Sequence, residues 1–182
     1  MYIENTIMTG QRHTKEELNN TLLFVIRLLN EHNLTDWFLG YGTLLGIIRE
    51  DSCIDGDDDI DIVMNINNYD VLKKILVDSG LEIEYGYGIR KSRHILKTKA
   101  TENYSTIDFY MANVDEQGNF IDIWEKVVWS NCYNETRELV QSQWNNEKVY
   151  LPNNYITKLE NRYGDWKTPK NEKSPVPRKM VI

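Results

Sequence analysis

The most concentrated chemistry in the sequence lies between residues 50 and 61, which hold seven acidic residues and no basic one. Without this segment the chain has 21 acidic and 21 basic residues, so the whole net charge of −7 comes from it. Asp59 and Asp61 alternate with Ile60 and Ile62, which predicts a strand with both carboxylates on one face and both isoleucines in the core. Two carboxylates ~4 Å apart repel by ~4 kcal/mol at an effective dielectric constant near 20, so this arrangement indicates a nearby cation.

A third acidic residue, Asp108, interrupts the apolar run Ile107-Asp108-Phe109-Tyr110. A lone carboxylate is costly to bury. If its strand lies beside the strand of Asp59 and Asp61, three carboxylates come together as the oxygen ligand set that Mg²⁺ or Mn²⁺ prefers. Asp59, Asp61 and Asp108 are therefore the predicted metal ligands.

Three other interpretations of the acidic segment stay open at this point. A solvated loop explains the acids before Asp59 but not the alternation with isoleucine. A calcium-binding loop starting at Asp55 would need glycine at its sixth position and glutamate at its twelfth, where the chain has Ile60 and Ile66. An acidic patch that docks a partner protein is the third.

Two further segments could bind phosphate. Gly42-Thr43 follows the short apolar run Trp37–Leu39 and opens a helical turn, where free backbone amides can bind phosphate. Residues 90–99 hold five basic side chains and no acidic one, and their alternation puts several of them on one face. A solvated strand edge explains this basic stretch equally well.

The elements that must position these residues follow from hydrophobic periodicity and turn residues, which predict an α+β domain with a small mixed sheet, flanking helices and a short helical C-terminal portion. Predicted helices cover 15–32, 68–79, 134–145 and 154–163, with an apolar helical turn at 44–48; predicted strands cover 37–39, 60–64, 81–87, 92–100, 105–112 and 120–124. We expect an N-terminal arm at 1–13, a folded domain at 14–167 and an extended tail at 168–182, which holds three of the four prolines.

Composition excludes several classes of protein. No apolar run approaches the ~20 residues that cross a bilayer, and no secretory signal is visible, so we expect a cytoplasmic protein without an integral membrane segment. The balanced charge outside the acidic segment argues against nucleic-acid binding. Two cysteines, and three histidines without metal-ligand spacing, do not make a disulfide framework or a zinc site. Neither a nucleophile elbow nor a P-loop motif occurs.

Segments 37–49 and 57–62 together resemble the LicD/fukutin-related family of the nucleotidyltransferase superfamily. That superfamily has a small-residue turn after a strand, an Asp-x-Asp on the next strand and a third acid later, which Gly42-Thr43, Asp59 with Asp61, and Asp108 match in order. Segments 151–155 and 162–169 resemble the closing motif of the family, so the resemblance frames about residues 20 to 169. The sequence departs from the family at Ile54-Asp55-Gly56, where Ile-Pro-Trp is common, and this changes the expected rim of the pocket.

The resemblance implies a nucleotidyltransferase-like catalytic domain that transfers a phospho-alcohol, such as phosphocholine or ribitol phosphate, from a CDP-linked donor to a glycan. It implies that Asp59, Asp61 and Asp108 are catalytic through bound Mg²⁺ or Mn²⁺, and that Asp108 also activates the attacking hydroxyl. The residues expected to bind the donor are Gly42, Thr43, Arg49, Arg90, Arg93 and Lys97. Two rival functions remain: transfer of an NMP from an NTP to a small hydroxylated acceptor, and non-catalytic binding of a nucleotide or glycan.

Overall fold

The computed structural model describes residues 11–86, 88–170 and 179–182 of the chain. In these residues the helices are Lys15–Glu31 (α1), Tyr41–Glu50 (α2), Tyr69–Asp78 (α3) and Tyr155–Tyr163 (α4). The strands are Trp37–Leu39 (β1), Asp59–Asn65 (β2), Ile95–Lys97 (β3), Thr106–Val114 (β4), Phe120–Asp122 (β5), Val127–Trp129 (β6), Val140–Trp144 (β7) and Glu147–Leu151 (β8). Short 3₁₀ turns cover Ile66–Asn68 and Ile89–Lys91. The predicted α+β class with a small mixed sheet is confirmed.

Strand β4 lies at the centre of the main sheet. Strand β2 runs parallel to one edge of it, and β1 pairs antiparallel with the far side of β2. The other edge of β4 pairs antiparallel with β3 near its middle and with β5 near its end, and β5 pairs with β6. A parallel pair requires a crossover connection, which the segment with α3 supplies between β2 and β4.

Helix α1 covers the sheet and begins at a capping box. The Thr14 hydroxyl accepts a hydrogen bond from the Glu17 amide, and the Glu17 carboxylate accepts one from the Thr14 amide. The apolar stripe of the helix is fully buried and faces β2 and β8; it comprises Leu18, Leu22, Val25, Ile26 and Leu29. The predicted helices at 15–32, 68–79 and 154–163 are thus confirmed to within two residues at either end.

The predicted helix at 134–145 is wrong. Val140–Trp144 is strand β7, which pairs with β8 across the two-residue turn Asn145-Asn146. The two asparagines have φ angles of 48° and 63°, and positive φ at both central residues is the requirement of a type I′ hairpin turn. The hairpin packs on β1, where the Tyr150 ring meets the Trp37 ring edge to face at 5.2 Å.

The predicted strands at 81–87 and 92–100 are too long. In the first region the described residues contribute only the isolated bridge of Ile83 with Thr98, and Tyr87 lies outside the described part. Gly88, at φ 83°, precedes the 3₁₀ turn that separates the two regions, and in the second region β3 covers only three residues. The predicted turn at 44–48 belongs to the ten-residue helix α2, and the predicted strand at 120–124 ends at residue 122.

Parts of the predicted arm and tail contact the domain. His13 donates its amide to the Asp57 carbonyl and accepts from the Gly56 amide. Val181 bridges Val128 of β6, while residues 1–10 and 171–178 lie outside the described part. Among the described helices, none combines the length and the apolar character that a membrane crossing needs.

Candidate active site

Three carboxylates meet at the amino-terminal ends of two parallel strands. Asp61 of β2 lies directly opposite Asp108 of β4 in the register of the sheet, and Asp59 lies two residues before Asp61 on the same face. Ile60 and Ile62 are fully buried on the opposite face. Asp61 and Asp108 are themselves only 7% and 8% exposed. We call Asp59, Asp61 and Asp108 the carboxylate cluster.

The next strand adds a cation to this row. Lys97 of β3 is the register partner of Asp108. Its ammonium nitrogen lies 2.7 Å from Oδ1 and 2.9 Å from Oδ2 of Asp108, and 3.8 Å from Oδ2 of Asp59. Lys97 is therefore the one predicted donor-binding cation that the structure places in the cluster.

Two more acidic residues, Asp57 and Asp58, lie at the rim of the cluster. Carboxylate oxygens of Asp57, Asp58 and Asp59 lie within 4.8 Å of one another. Both rim residues are half-buried, so they offer further oxygen ligands on the open side of the site. Both lie in the acidic segment at 50–61, but the sequence does not single them out as ligands.

The start of helix α2 lies against Asp61. The Gly42 amide donates to Asp61 Oδ2 at 3.2 Å, and the buried Thr43 hydroxyl accepts from the Asp61 amide at 2.8 Å. A side chain at position 42 would put its Cβ 2.8 Å from Asp57 Oδ2 and 3.5 Å from Asp61 Oδ2. A larger residue at position 42 would have to displace the Asp57 carboxylate, so glycine lets the positive end of the helix lie close to both carboxylates.

Burial raises the pKa of every member of the carboxylate cluster, and repulsion from the other members adds to it for Asp59 and Asp61. For Asp59, burial and then the charges of Asp61 and Asp108 raise the pKa from its ordinary 3.8 to about 10. Burial, Asp108 and Asp57 raise the pKa of Asp61. Burial also raises the pKa of Asp108, although Lys97 acts in the opposite direction. Ionising all three carboxyl groups would place more negative charge here than Lys97 balances, so the ionised cluster suits a hard divalent cation with oxygen ligands.

Lys97 keeps its charge in this setting. Burial by itself lowers the pKa of Lys97, but the charges of Asp108, Asp59 and Asp58 outweigh burial and raise it. The site therefore contains a charged ammonium group beside carboxyl groups whose pKa values are raised.

A layer of aromatic side chains behind the cluster was not predicted. The Tyr110 hydroxyl donates to Asp61 Oδ1 at 3.2 Å, and the Tyr110 ring packs 4.7 Å from the ring of Tyr41. Tyr41 begins α2 at a φ of 42°, a conformation that non-glycine residues rarely adopt. Its hydroxyl donates to buried Asp122 at 2.5 Å. Tyr110 could have been found from the sequence, since it lies two residues after Asp108 on the same strand face.

Arg162 completes this layer from helix α4. Its guanidinium carbon lies 5.1 Å from the centre of the Tyr41 ring. The residue is only 6% exposed, and its Nε has no hydrogen-bond partner among the described residues. The sequence contained this residue in the closing segment 162–169 but nothing local pointed to its position behind Tyr41.

The remaining predicted donor-binding residues lie elsewhere. Arg49 is near the carboxyl end of α2, where it binds Glu50 and the Trp166 carbonyl. Arg93 precedes β3 and forms a two-pronged ion pair with Asp70 on α3. The structure does not bring either guanidinium to the carboxylate cluster, because each has a partner at its own end of the fold.

Arg90 also lies away from the cluster. It is exposed on the 3₁₀ turn before β3, and its guanidinium carbon lies 5.5 Å from the centre of the Tyr85 ring. The basic stretch at 90–99 therefore divides in three dimensions: Lys97 points into the cluster, while Arg90, Arg93 and Lys99 contact other surface groups.

The part of the chain that contains this site matches a known protein family. Residues 35–164 match the family described as LicD/FKTN/FKRP, nucleotidyltransferase domain. The chain belongs to the LicD family. The matched range contains the carboxylate cluster, Lys97, the start of α2 and Arg162, so the site of this LicD protein lies wholly inside the family domain.

Two solved structures are similar to this LicD protein. The lincosamide antibiotic adenylyltransferase LnuA, in a lincomycin-bound crystal structure, aligns with a TM-score of 0.54 at 17% identity, over 78% of this chain and 81% of that chain. The antibiotic-resistance factor ANT(2'')-Ia, in a solution structure, aligns with a TM-score of 0.49 at 12% identity, over 76% and 66% of the two chains. No curated protein sequence matches. The LnuA alignment establishes a nucleotidyltransferase fold, and family membership supports a phosphoryl-group or nucleotidyl-group transferase.

Proposed function

We propose that this LicD protein transfers a phospho-alcohol from a CDP-linked donor to a hydroxylated glycan acceptor, and that the reaction requires Mg²⁺ or Mn²⁺. One observation carries the proposal. Asp61 and Asp108 face each other on parallel strands beside Asp59, with the positive start of α2 directed at Asp61. Family membership supplies the class of reaction.

The carboxylate cluster would hold the cation, with Asp57 and Asp58 at its rim. When bound, a divalent cation neutralises the donor diphosphate and the charge that develops on the leaving CMP. The carboxylate cluster offers only oxygen ligands, and the pKa values of its carboxyl groups are raised; both features fit Mg²⁺ or Mn²⁺.

The residues of the chain would orient the reactants. Thr43 and Tyr110 hold the backbone and the side chain of Asp61, respectively. The absence of a side chain at Gly42 lets the start of α2 lie close to Asp57 and Asp61. Asp108 would accept the proton of the acceptor hydroxyl as the new O–P bond forms and the P–O bond to CMP breaks.

Nucleotidyl transfer is the second candidate. The observation that favours it is the fold shared with a protein described as an adenylyltransferase. The two reactions use the same kind of site but attack different phosphorus atoms. Phospho-alcohol transfer releases CMP, whereas nucleotidyl transfer releases pyrophosphate and leaves the nucleotide on the acceptor.

The first test is a thermal-shift panel of CDP, CTP, UDP, ADP and GDP, each with Mg²⁺ and with EDTA. A ligand at ~100 times its Kd adds ~2.7 kcal/mol to the free energy of unfolding. We expect the cytidine nucleotides to stabilise the protein only with Mg²⁺. A preference for another base would favour nucleotidyl transfer, and no shift with any nucleotide would contradict both reactions.

The second test identifies the product. CDP-choline, CDP-ribitol and CDP-glycerol are incubated with the protein and candidate glycans, and mass spectrometry follows CMP and the acceptor. We expect CMP release in proportion to an acceptor that gains the phospho-alcohol. Asp108→Asn should abolish both signals, while Asp78→Asn, an exposed acid paired with Lys74, should leave them unchanged. An acceptor that gains the nucleotide would overturn the proposal.

A further inference from the structure

One ammonium group lies between two members of the carboxylate cluster. Sheet register puts Asp61, Asp108 and Lys97 side by side on three neighbouring strands, β2, β4 and β3. The Lys97 nitrogen contacts both oxygens of Asp108 and lies 3.8 Å from Asp59. It therefore bridges two carboxylates in the way that a metal ion would.

The position of Lys97 is fixed by the fold. Its carbonyl accepts a hydrogen bond from the Glu84 amide at 2.8 Å, and its side chain is 27% exposed. Lys99, two residues later, shows the contrast: its side chain is 50% exposed and pairs with Glu82 on the surface. Lys97 is thus held in the site, whereas Lys99 lies on the surface.

We propose that the site binds a single divalent cation because the ammonium group of Lys97 takes the position of a second one. Catalytic two-metal sites place their ions about 3.5–4 Å apart and bridge them with shared carboxylates. Here the space between Asp59 and Asp108 is already filled by a positive charge that would repel a second ion at that distance.

The members of the carboxylate cluster would then have different roles. The single cation would bind on the Asp59 and Asp61 side, next to Asp57 and the start of α2. Lys97 is then a positioning residue that holds Asp108 towards the acceptor, and it does not bind the donor phosphate. This inference rests on the proposed function, since both require a cation at the carboxylate cluster.

The test counts Mn²⁺ ions by equilibrium dialysis with and without saturating CDP, and records the electron paramagnetic resonance spectrum. We expect one Mn²⁺ per wild-type chain, with the six-line spectrum of an isolated ion. Lys97→Met keeps the length of the side chain and removes its charge, so it should bind a second Mn²⁺ and show a spin-coupled pair. Lys97→Arg and the matched surface control Lys99→Ala should both retain one.

The outcomes separate this inference from the proposed function. Two coupled Mn²⁺ ions in the wild-type chain would overturn the single-cation site while leaving the metal-dependent reaction standing. A count that stays at one in Lys97→Met would overturn the role of Lys97. No retained Mn²⁺ in any variant would overturn both proposals, and the wild-type count decides the matter even if Lys97→Met fails to fold.

Discussion

Removing one charge from the carboxylate cluster should stabilise the metal-free protein and abolish its response to metal. Asp61→Asn is the sharpest form of this change, because Asp61 is 7% exposed and faces Asp108 directly across the sheet. The carboxamide has nearly the same shape, so packing is preserved and the charge is the main difference. Two stabilities are compared, one in EDTA and one in saturating Mg²⁺.

The magnitude follows from the geometry. Neighbouring strands are about 4.8 Å apart, and two like charges about 5 Å apart repel by about 3 kcal/mol at an effective dielectric constant of 20. Asp61 accepts hydrogen bonds from the Gly42 amide and the Tyr110 hydroxyl. The carboxamide keeps one acceptor oxygen, so losing one of these bonds costs about 1 kcal/mol. The net gain in EDTA is at most about 2 kcal/mol, or about 4–8 °C in Tm for a chain of this size, because the raised pKa of Asp61 lets protonation relieve part of the repulsion.

The assay is thermal or urea unfolding at pH 8. In EDTA the variant should be the more stable protein. In Mg²⁺ at ~100 times Kd the wild type should gain ~2.7 kcal/mol and the variant almost nothing, so the order reverses. Asp78→Asn, on the exposed end of α3, is the control and should change stability by less than about 0.5 kcal/mol in either condition. Equal Mg²⁺ stabilisation of variant and wild type, or a variant less stable in EDTA, would refute the charge argument.

Three further outcomes are expected. Because the pKa of Asp59 is raised from 3.8 to about 10, the folded metal-free protein binds a proton that the unfolded chain releases above about pH 4. The free energy of unfolding should therefore fall as pH rises from 5 to 9. Urea midpoints measured in EDTA across this range check this prediction, and midpoints that do not change with pH would contradict it. Gly42→Ala would place a methyl group 2.8 Å from Asp57 Oδ2. In a calorimetric titration Mg²⁺ should therefore bind at least about tenfold more weakly, a loss of about 1.4 kcal/mol in binding free energy. An unchanged Mg²⁺ affinity would exclude Asp57 and the helix start from the cation site. Gly46→Ala would bring its Cβ 2.5 Å from the backbone oxygen of Ser52, so the free energy of unfolding should drop by about 1–3 kcal/mol with Mg²⁺ affinity unchanged; a stability equal to wild type would show that this loop moves aside freely.

The errors in the sequence-based prediction have identifiable causes. In the segment 140–144 the apolar residues Val140 and Trp144 lie four apart, a spacing that also fits a helix, and the predicted helix at 134–145 runs into the first residue of the Asn145-Asn146 turn. Arg93 shares the alternating pattern of Lys97, yet it pairs with Asp70 of α3. Alternation specifies the face of a strand, and it does not say which partner lies over that face or where the strand ends.

Arg49 illustrates the same limit for a helix. It is close to Gly42 in the sequence, but α2 continues for ten residues and carries Arg49 towards Trp166. With a rise of about 1.5 Å per residue, the seven residue steps from Gly42 to Arg49 separate the two by about 10 Å. Reading this segment as a short turn made the arginine seem nearer to the phosphate-binding end than it is.

The sequence by itself determined the local features: the capping box at Thr14, the Asp–Ile alternation of β2, the glycine at the start of α2 and the family of the chain. These depend on backbone periods and on short spacings that neighbouring residues carry. The tertiary structure decided that Asp108 lies opposite Asp61, that Lys97 contacts Asp108, and that Arg162 packs on Tyr41. The first two pairings depend on strand order and register, and the third depends on how α4 packs against α2; the burial of the whole core sets all three, and no local pattern encodes them.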